Sequence, residues 1–92
     1  MQIERVTSMR AVKKPVEVDV WVLGSVDMPD WVTHAWEFGT LSADVWKQNW
    51  KVRTLEGDMW AKSGDYLIKG VVDELYPCRK DVFEITYDII EE

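Results

Sequence analysis

The sequence predicts an α+β fold: a small antiparallel sheet, curled toward a barrel, with one short helix. Three observations carry this. Apolar and polar residues alternate from Val16 to Leu23. Turn signals recur at Gly57-Asp58, Ser63-Gly64 and Asp73, separating short runs rich in β-formers. Between Asp27 and Gly39, Trp31, Val32, Ala35 and Trp36 follow the spacing of one helical face.

Pro15 opens the first strand. Val16, Val18, Val20 and Val22 alternate with Glu17, Asp19, Trp21 and Leu23, so the valine face is expected to meet the core. Gly24 ends that run. Asp27 reads as a helix cap with Asp30 in the first turn, giving a helix over Met28–Glu37 that Gly39 terminates. So short a helix has to dock on the sheet to be stable. For 40–49 a short strand at Val45-Trp46 competes with a helical turn from Ser42, and the strand is preferred, with Lys47-Gln48-Asn49 as a turn.

Trp50 to Leu55 is the next strand, Met59 to Lys62 its return after the Gly57-Asp58 turn, and Tyr66 to Val71 a third. Glu74-Leu75-Tyr76 follows Asp73; Pro77 cannot donate to a ladder, so this strand stops there or lies at an edge. At the end, a helical turn from Lys80 to Ile85 is expected to lead into a strand from Tyr87 to Ile90, paired with Val16–Val22. The alternation of Phe83, Ile85, Tyr87 and Ile89 favours strand, while Val82, Phe83, Thr86, Tyr87 and Ile90 fit a helical face equally well.

At 92 residues the chain reads as one domain, 1–92, with residues 1–12 an N-terminal extension or a flexible lead. Hydrophobic residues make up 47% and charged residues 30%, the composition of a globular protein. The formal net charge is −6, and the stretch Asp73–Glu92 holds seven acids against Arg79 and Lys80. That balance argues against phosphate-backbone binding, so nucleic acid is not an expected partner. The acidic end fits a solvated surface or a basic partner. One cysteine excludes an internal disulfide. No run has the length of a membrane span, and the start lacks the pattern of a signal peptide, so a cytoplasmic protein is expected.

Cofactor and metal sites are not expected. Cys78 and His34 are too few for zinc, and the aspartates suit turns and caps. Cys78 with His34 is also the only Cys–His pair available for nucleophilic catalysis. Arg79 and Lys80 beside it would lower a thiol pKa, but a small buried residue at a strand end is the better reading, and no catalytic residue is assigned. Gly57 and Gly64 stand alone in turns and form no phosphate loop.

The six tryptophans, Trp21, Trp31, Trp36, Trp46, Trp50 and Trp60, are the distinctive feature. Core filling is the first explanation; an exposed aromatic patch is the sharper one. Lys51, Arg53, Lys62 and Lys69 come from the same strands, and any that share a face with Trp60 or Tyr66 would suit an anion or a nucleotide. The candidate binding residues are Trp46, Trp60, Tyr66, Lys69, Tyr76, Arg79 and Lys80. Asp81 is a competing partner for Arg79 and Lys80.

Several ordered motifs carry a resemblance. Lys13-Lys14-Pro15-Val16, Thr-Leu-Glu-Gly-Asp-Met at 54–59, Gly-Asp-Tyr-Leu-Ile-Lys-Gly-Val at 64–71 and Tyr-Pro-Cys-Arg-Lys-Asp-Val-Phe-Glu-Ile-Thr-Tyr at 76–87 resemble a family of small, uncharacterised phage and prophage proteins. The family pattern runs K-K-P-V, T-L-E-G, P-G-D-Y-I-I-K-G-V, Y-P-C-K-P-D-I-F-E-x-T-Y. Ser63 and Lys80 stand where that pattern has proline, and residues 24–48 match nothing in it. The resemblance implies phage origin and no activity. The expectation is a non-enzymatic phage accessory protein that binds, and inhibits, a host or defence protein in the host cytoplasm. The alternatives are a sponge for a small, cyclic nucleotide and a virion or morphogenesis component. Homo-oligomerisation is expected, because open sheet edges and surplus tryptophan gain by pairing.

Overall fold

A computed structural model describes residues 8–44, 46 and 48–90. The elements run β1 (Asp19–Val22), α1 (Asp30–Phe38), β2 (Leu41–Asp44), β3 (Asn49–Thr54), β4 (Gly57–Lys62), β5 (Tyr66–Lys69), β6 (Leu75–Cys78) and α2 (Lys80–Thr86). The fold is mixed α+β. The strands form two separate three-stranded antiparallel sheets, ordered β1-β5-β6 and β2-β3-β4. Among the described residues no closed barrel forms, and there are two short helices, α1 and, where a helical turn from Lys80 to Ile85 was expected, α2. No helix of the described residues is long and apolar enough to cross a membrane.

β1 begins at Asp19, not at Val16, because its partner β5 has only four residues to offer. The expected facing is also reversed. Trp21 and Leu23 are buried in the main core, whereas Val20 and Val22 are half-buried on the other side. Both sides of this sheet are covered, so alternation cannot tell which side is inner. On one side Trp21 and Leu67 join Val32 and Ala35 of α1 and Leu41, Val52 and Ala61 of the second sheet in a single cluster. On the other side lies Ile68, fully buried yet outside that cluster. There Phe83 of α2 stacks between Tyr66 (3.8 Å) and Tyr87 (4.8 Å).

Helix α1 starts later than the sequence suggests. Pro29 occupies the N-cap and no side chain caps the helix. Asp27 instead serves through its main chain, its carbonyl accepting the Trp21 indole N–H at 2.7 Å. At the other end Gly39 takes φ 78°, where a Cβ is disfavoured, and its N–H closes on the Trp36 carbonyl. Gly24 likewise holds φ 95°, and a Cβ there would press on the Ser63 side chain. Indoles from three elements then meet: Trp21 of β1 and Trp36 of α1 both contact Trp50 of β3 edge-on, at 5.9 and 6.0 Å.

β2 lies before the expected Val45-Trp46 strand. Trp46 sits in the β2–β3 turn, and Val45 and Lys47 lie outside the described residues. Gln48 in that turn adopts φ 55°. The β3–β4 and β5–β6 hairpins follow the sequence pattern, β4 starting at Gly57 and β5 ending at Lys69. The expected strand over Tyr87–Ile90 is absent. α2 runs on to Thr86, Tyr87 caps it in extended conformation, and among the described residues β1 pairs only with β5.

Candidate functional site: an open cleft between the sheets

Three segments far apart in sequence line an open cleft of about 510 Å³. Helix α1 contributes Trp31, His34, Ala35 and Phe38. The end of β3 contributes Arg53, Thr54 and Leu55. The β5–β6 hairpin contributes Lys69, Asp73, Glu74 and Leu75. The volume is that of a ligand or side-chain pocket. Gly39 sets one wall by ending α1, so that Thr40 turns into β2; the Arg53 N–H donates to the Thr40 carbonyl at 2.8 Å and holds β3 beside it.

The opposite wall is a tight hairpin. Gly70 N–H donates to the Glu74 carbonyl, the Glu74 carboxylate accepts from Val72 N–H, and Asp73 adopts φ 65°. A Cβ at Gly70 would meet the Glu74 carboxylate, which would have to swing aside. Lys69 approaches Asp73 at 3.8 Å. The lips of the cleft are apolar: Phe38 is 82% exposed and Leu55 80%.

Of the residues expected to bind, only Lys69 reaches this cleft; the others scatter. Trp46 projects from its turn, 94% exposed. Trp60 lies on the outer face of the second sheet, opposite Lys51, and alternation puts Arg53 and Lys62 on the same side. Lys69 falls on the opposite face of β5 from Tyr66, so those two do not share a site. Trp50 and Trp60 occupy neighbouring strands but opposite faces, and Trp50 is half-buried with its indole N–H on Ser63 Oγ. Arg79 pairs with Asp81 through two bonds, at 2.6 and 3.1 Å, and Lys80 donates its main-chain N–H to the Asp65 carboxylate.

Tyr66 and Tyr76 lie under α2 in a second polar cluster. Lys13 donates to the Tyr87 hydroxyl at 2.8 Å, and its ammonium also lies 4.7 Å from that ring's centre. The Tyr76 and Tyr87 hydroxyls stand 3.5 Å apart. The Lys13 hydrogen bond, helped by Tyr76, holds the Tyr87 phenol below the usual tyrosine range. Burial, and then the bond to Tyr87, drive the Tyr76 phenol well above it. Alkaline titration followed by tyrosinate absorbance is therefore expected to show Tyr87 ionising before Tyr76. Lys13→Met removes the charge that favours tyrosinate at position 87, so the Tyr87 midpoint should move up in pH.

Cys78 adjoins this cluster. Burial pushes its thiol above the ordinary range, and Asp65 and Asp81 add to the effect, while Lys13 opposes it. Arg79 and Lys80, weighed as bases that could lower the thiol pKa, do not act on it: Arg79 is engaged by Asp81, and neither is among the groups acting on the sulfur. His34 lies in the cleft and is not among the groups acting on the thiol. Among the described residues no group of three or more His, Cys, Asp or Glu is placed to hold a metal ion.

Sequence reasoning missed Trp31, Phe38 and Leu55 as a joint surface. The available signal was weak: apolar residues at the ends of elements, where the core cannot cover them. No protein-family model, curated protein or solved structure matches the chain.

Proposed function

We propose that the protein acts by binding a protein partner in this cleft, as a phage accessory protein that occupies a host or defence protein in the host cytoplasm. One observation carries the reading: Phe38 and Leu55, each about four-fifths exposed, line the same open cleft. Exposed apolar side chains are ordinary when scattered. Here they gather on the lips of one cleft, and the adjoining turn adds Val71 and Val72, 68% and 69% exposed. His34, Arg53, Lys69, Asp73 and Glu74 supply polar groups and charge of both signs around them. An apolar centre inside a mixed polar rim is the anatomy of a protein-binding patch. The exposed Glu84 of α2 adds attraction for a basic partner that salt would screen, Asp81 being paired with Arg79.

The test is paired affinity capture from host lysate with the wild-type protein, Phe38→Glu, Leu55→Glu and, as a surface control, Trp46→Glu. A genuine partner is retained by the control and lost by both cleft variants, with affinity down by about tenfold or more. Variants whose melting curves match the wild type but whose captured proteins are unchanged would overturn the reading.

A second reading, a nucleotide sponge, draws on the same cleft, because Trp31, Phe38, Arg53 and Lys69 line it together. The carboxylates of Asp73 and Glu74 disfavour phosphate there. Quenching of tryptophan fluorescence and a raised melting temperature with cyclic or adenine nucleotides would support it over the protein partner.

A further inference from the structure

We propose that the free edge of β4 pairs with β4 of a second copy of this chain, antiparallel, with Met59 on the two-fold axis. The argument starts from which main-chain groups are open. The Arg53 N–H bonds to the Thr40 carbonyl, on the β2 side. In an antiparallel ladder the main-chain groups of successive residues point to opposite neighbours. Those of Val52 therefore point at β4, where the register sets Met59 against them. Gly57, Met59 and Ala61 bond back to β3, and Asp58, Trp60 and Lys62 turn their N–H and C=O to the outer edge. The Lys62 groups are already taken within the chain: its N–H donates to the Asp65 carboxylate at 3.1 Å and its carbonyl accepts from Asp65 N–H at 3.0 Å. Among the described residues nothing bonds to the outward main-chain groups of Asp58 and Trp60.

The other three edges, of β1, β2 and β6, offer less, and β1 has only four residues. β6 carries Pro77 in its interior, and β2 is short and lies against α1. β4 has no proline and is exposed at Asp58, Met59 and Trp60, with Met59 45% and Trp60 61% accessible. A sheet edge of this kind is a template for another strand.

Only one register uses both open residues on both copies. Setting Asp58 opposite Trp60 of the second copy makes both such pairs hydrogen-bonded, for four main-chain bonds. Setting Trp60 opposite itself makes two, because Lys62 is engaged. Setting Asp58 opposite itself makes two and confronts like carboxylates. The favoured register also brings Lys62 near Glu56, the turn residue just before β4, of the second copy, once on each side of the axis, so charge complementarity agrees with the hydrogen-bond match. It brings Met59 against Met59 and the two Trp60 side chains into diagonal contact.

The test is the oligomeric state of the full chain by sedimentation from micromolar to millimolar concentration. Lys62→Glu and Glu56→Lys should each weaken the dimer by about tenfold, because two attractive pairs become repulsive. Glu56→Lys combined with Lys62→Glu should restore it. Both positions are exposed, so the fold should survive; circular dichroism checks this. Amide exchange of Asp58 and Trp60 should slow as concentration rises, while that of Met59 stays constant. A monomer throughout the range, a dimer indifferent to the charge changes, or one that the double variant fails to rescue would each overturn the proposal.

Discussion

Phe83→Ala is expected to release α2 while both sheets stay folded. Phe83 is 2% exposed and is the one buried residue of its helix. Its ring fills the space between Tyr66 and Tyr87. A seven-residue helix cannot persist in water on its own backbone bonds. Truncating a buried phenylalanine costs about 3–5 kcal/mol, more than so small a helix can supply from elsewhere. The main core holds no α2 residue, so the loss should be local. Hydrogen exchange is the decisive measurement. Amides of Phe83 and Tyr87, now bonded to the Arg79 and Phe83 carbonyls, should lose protection, while those of β3 and β4 keep theirs. Unchanged protection in α2 would refute the expectation.

Leu67→Ala should act on the whole fold. Leu67 is fully buried in the central strand of its sheet, opposite Trp21 on one side and Pro77 on the other. It belongs to the cluster that joins both sheets and α1. Removing a buried leucine side chain costs about 3 kcal/mol, against a total of roughly 5–14 kcal/mol for a domain of 92 residues. The melting temperature should fall by about 15 °C, with one cooperative transition. A shift of only about 2 °C would show that the two sheets do not share one core.

These two substitutions mark what was legible in the sequence. Hairpins were legible, because Gly57-Asp58 and Ser63-Gly64 break runs of alternating residues. The end of α1 was legible through Gly39, whose left-handed conformation is local chemistry. The facing of β1 was not, since its valine side meets a second apolar layer that only tertiary structure reveals. The C-terminal segment fits two periodicities, and the stacking of Phe83 on Tyr66 decides for helix. The Val45-Trp46 strand, preferred over a helical turn from Ser42, was misplaced: the strand lies earlier, with Leu41 paired to Val52. The cleft was the least legible part: its walls come from residues 31–38, 53–55 and 69–75, which no local pattern connects. The exposed lips, Phe38 and Leu55, looked like ordinary members of the elements they end.

The meeting of Trp21, Trp36 and Trp50 has an optical consequence. Each indole belongs to a different element, so their mutual angles exist only when helix and both sheets are assembled. The optical activity that arises from coupling among these chromophores is thus a property of the docked layers and of no single strand or helix. A loosened state with every hairpin intact but the layers slid apart would keep its peptide-bond spectrum and go silent in this coupled signal.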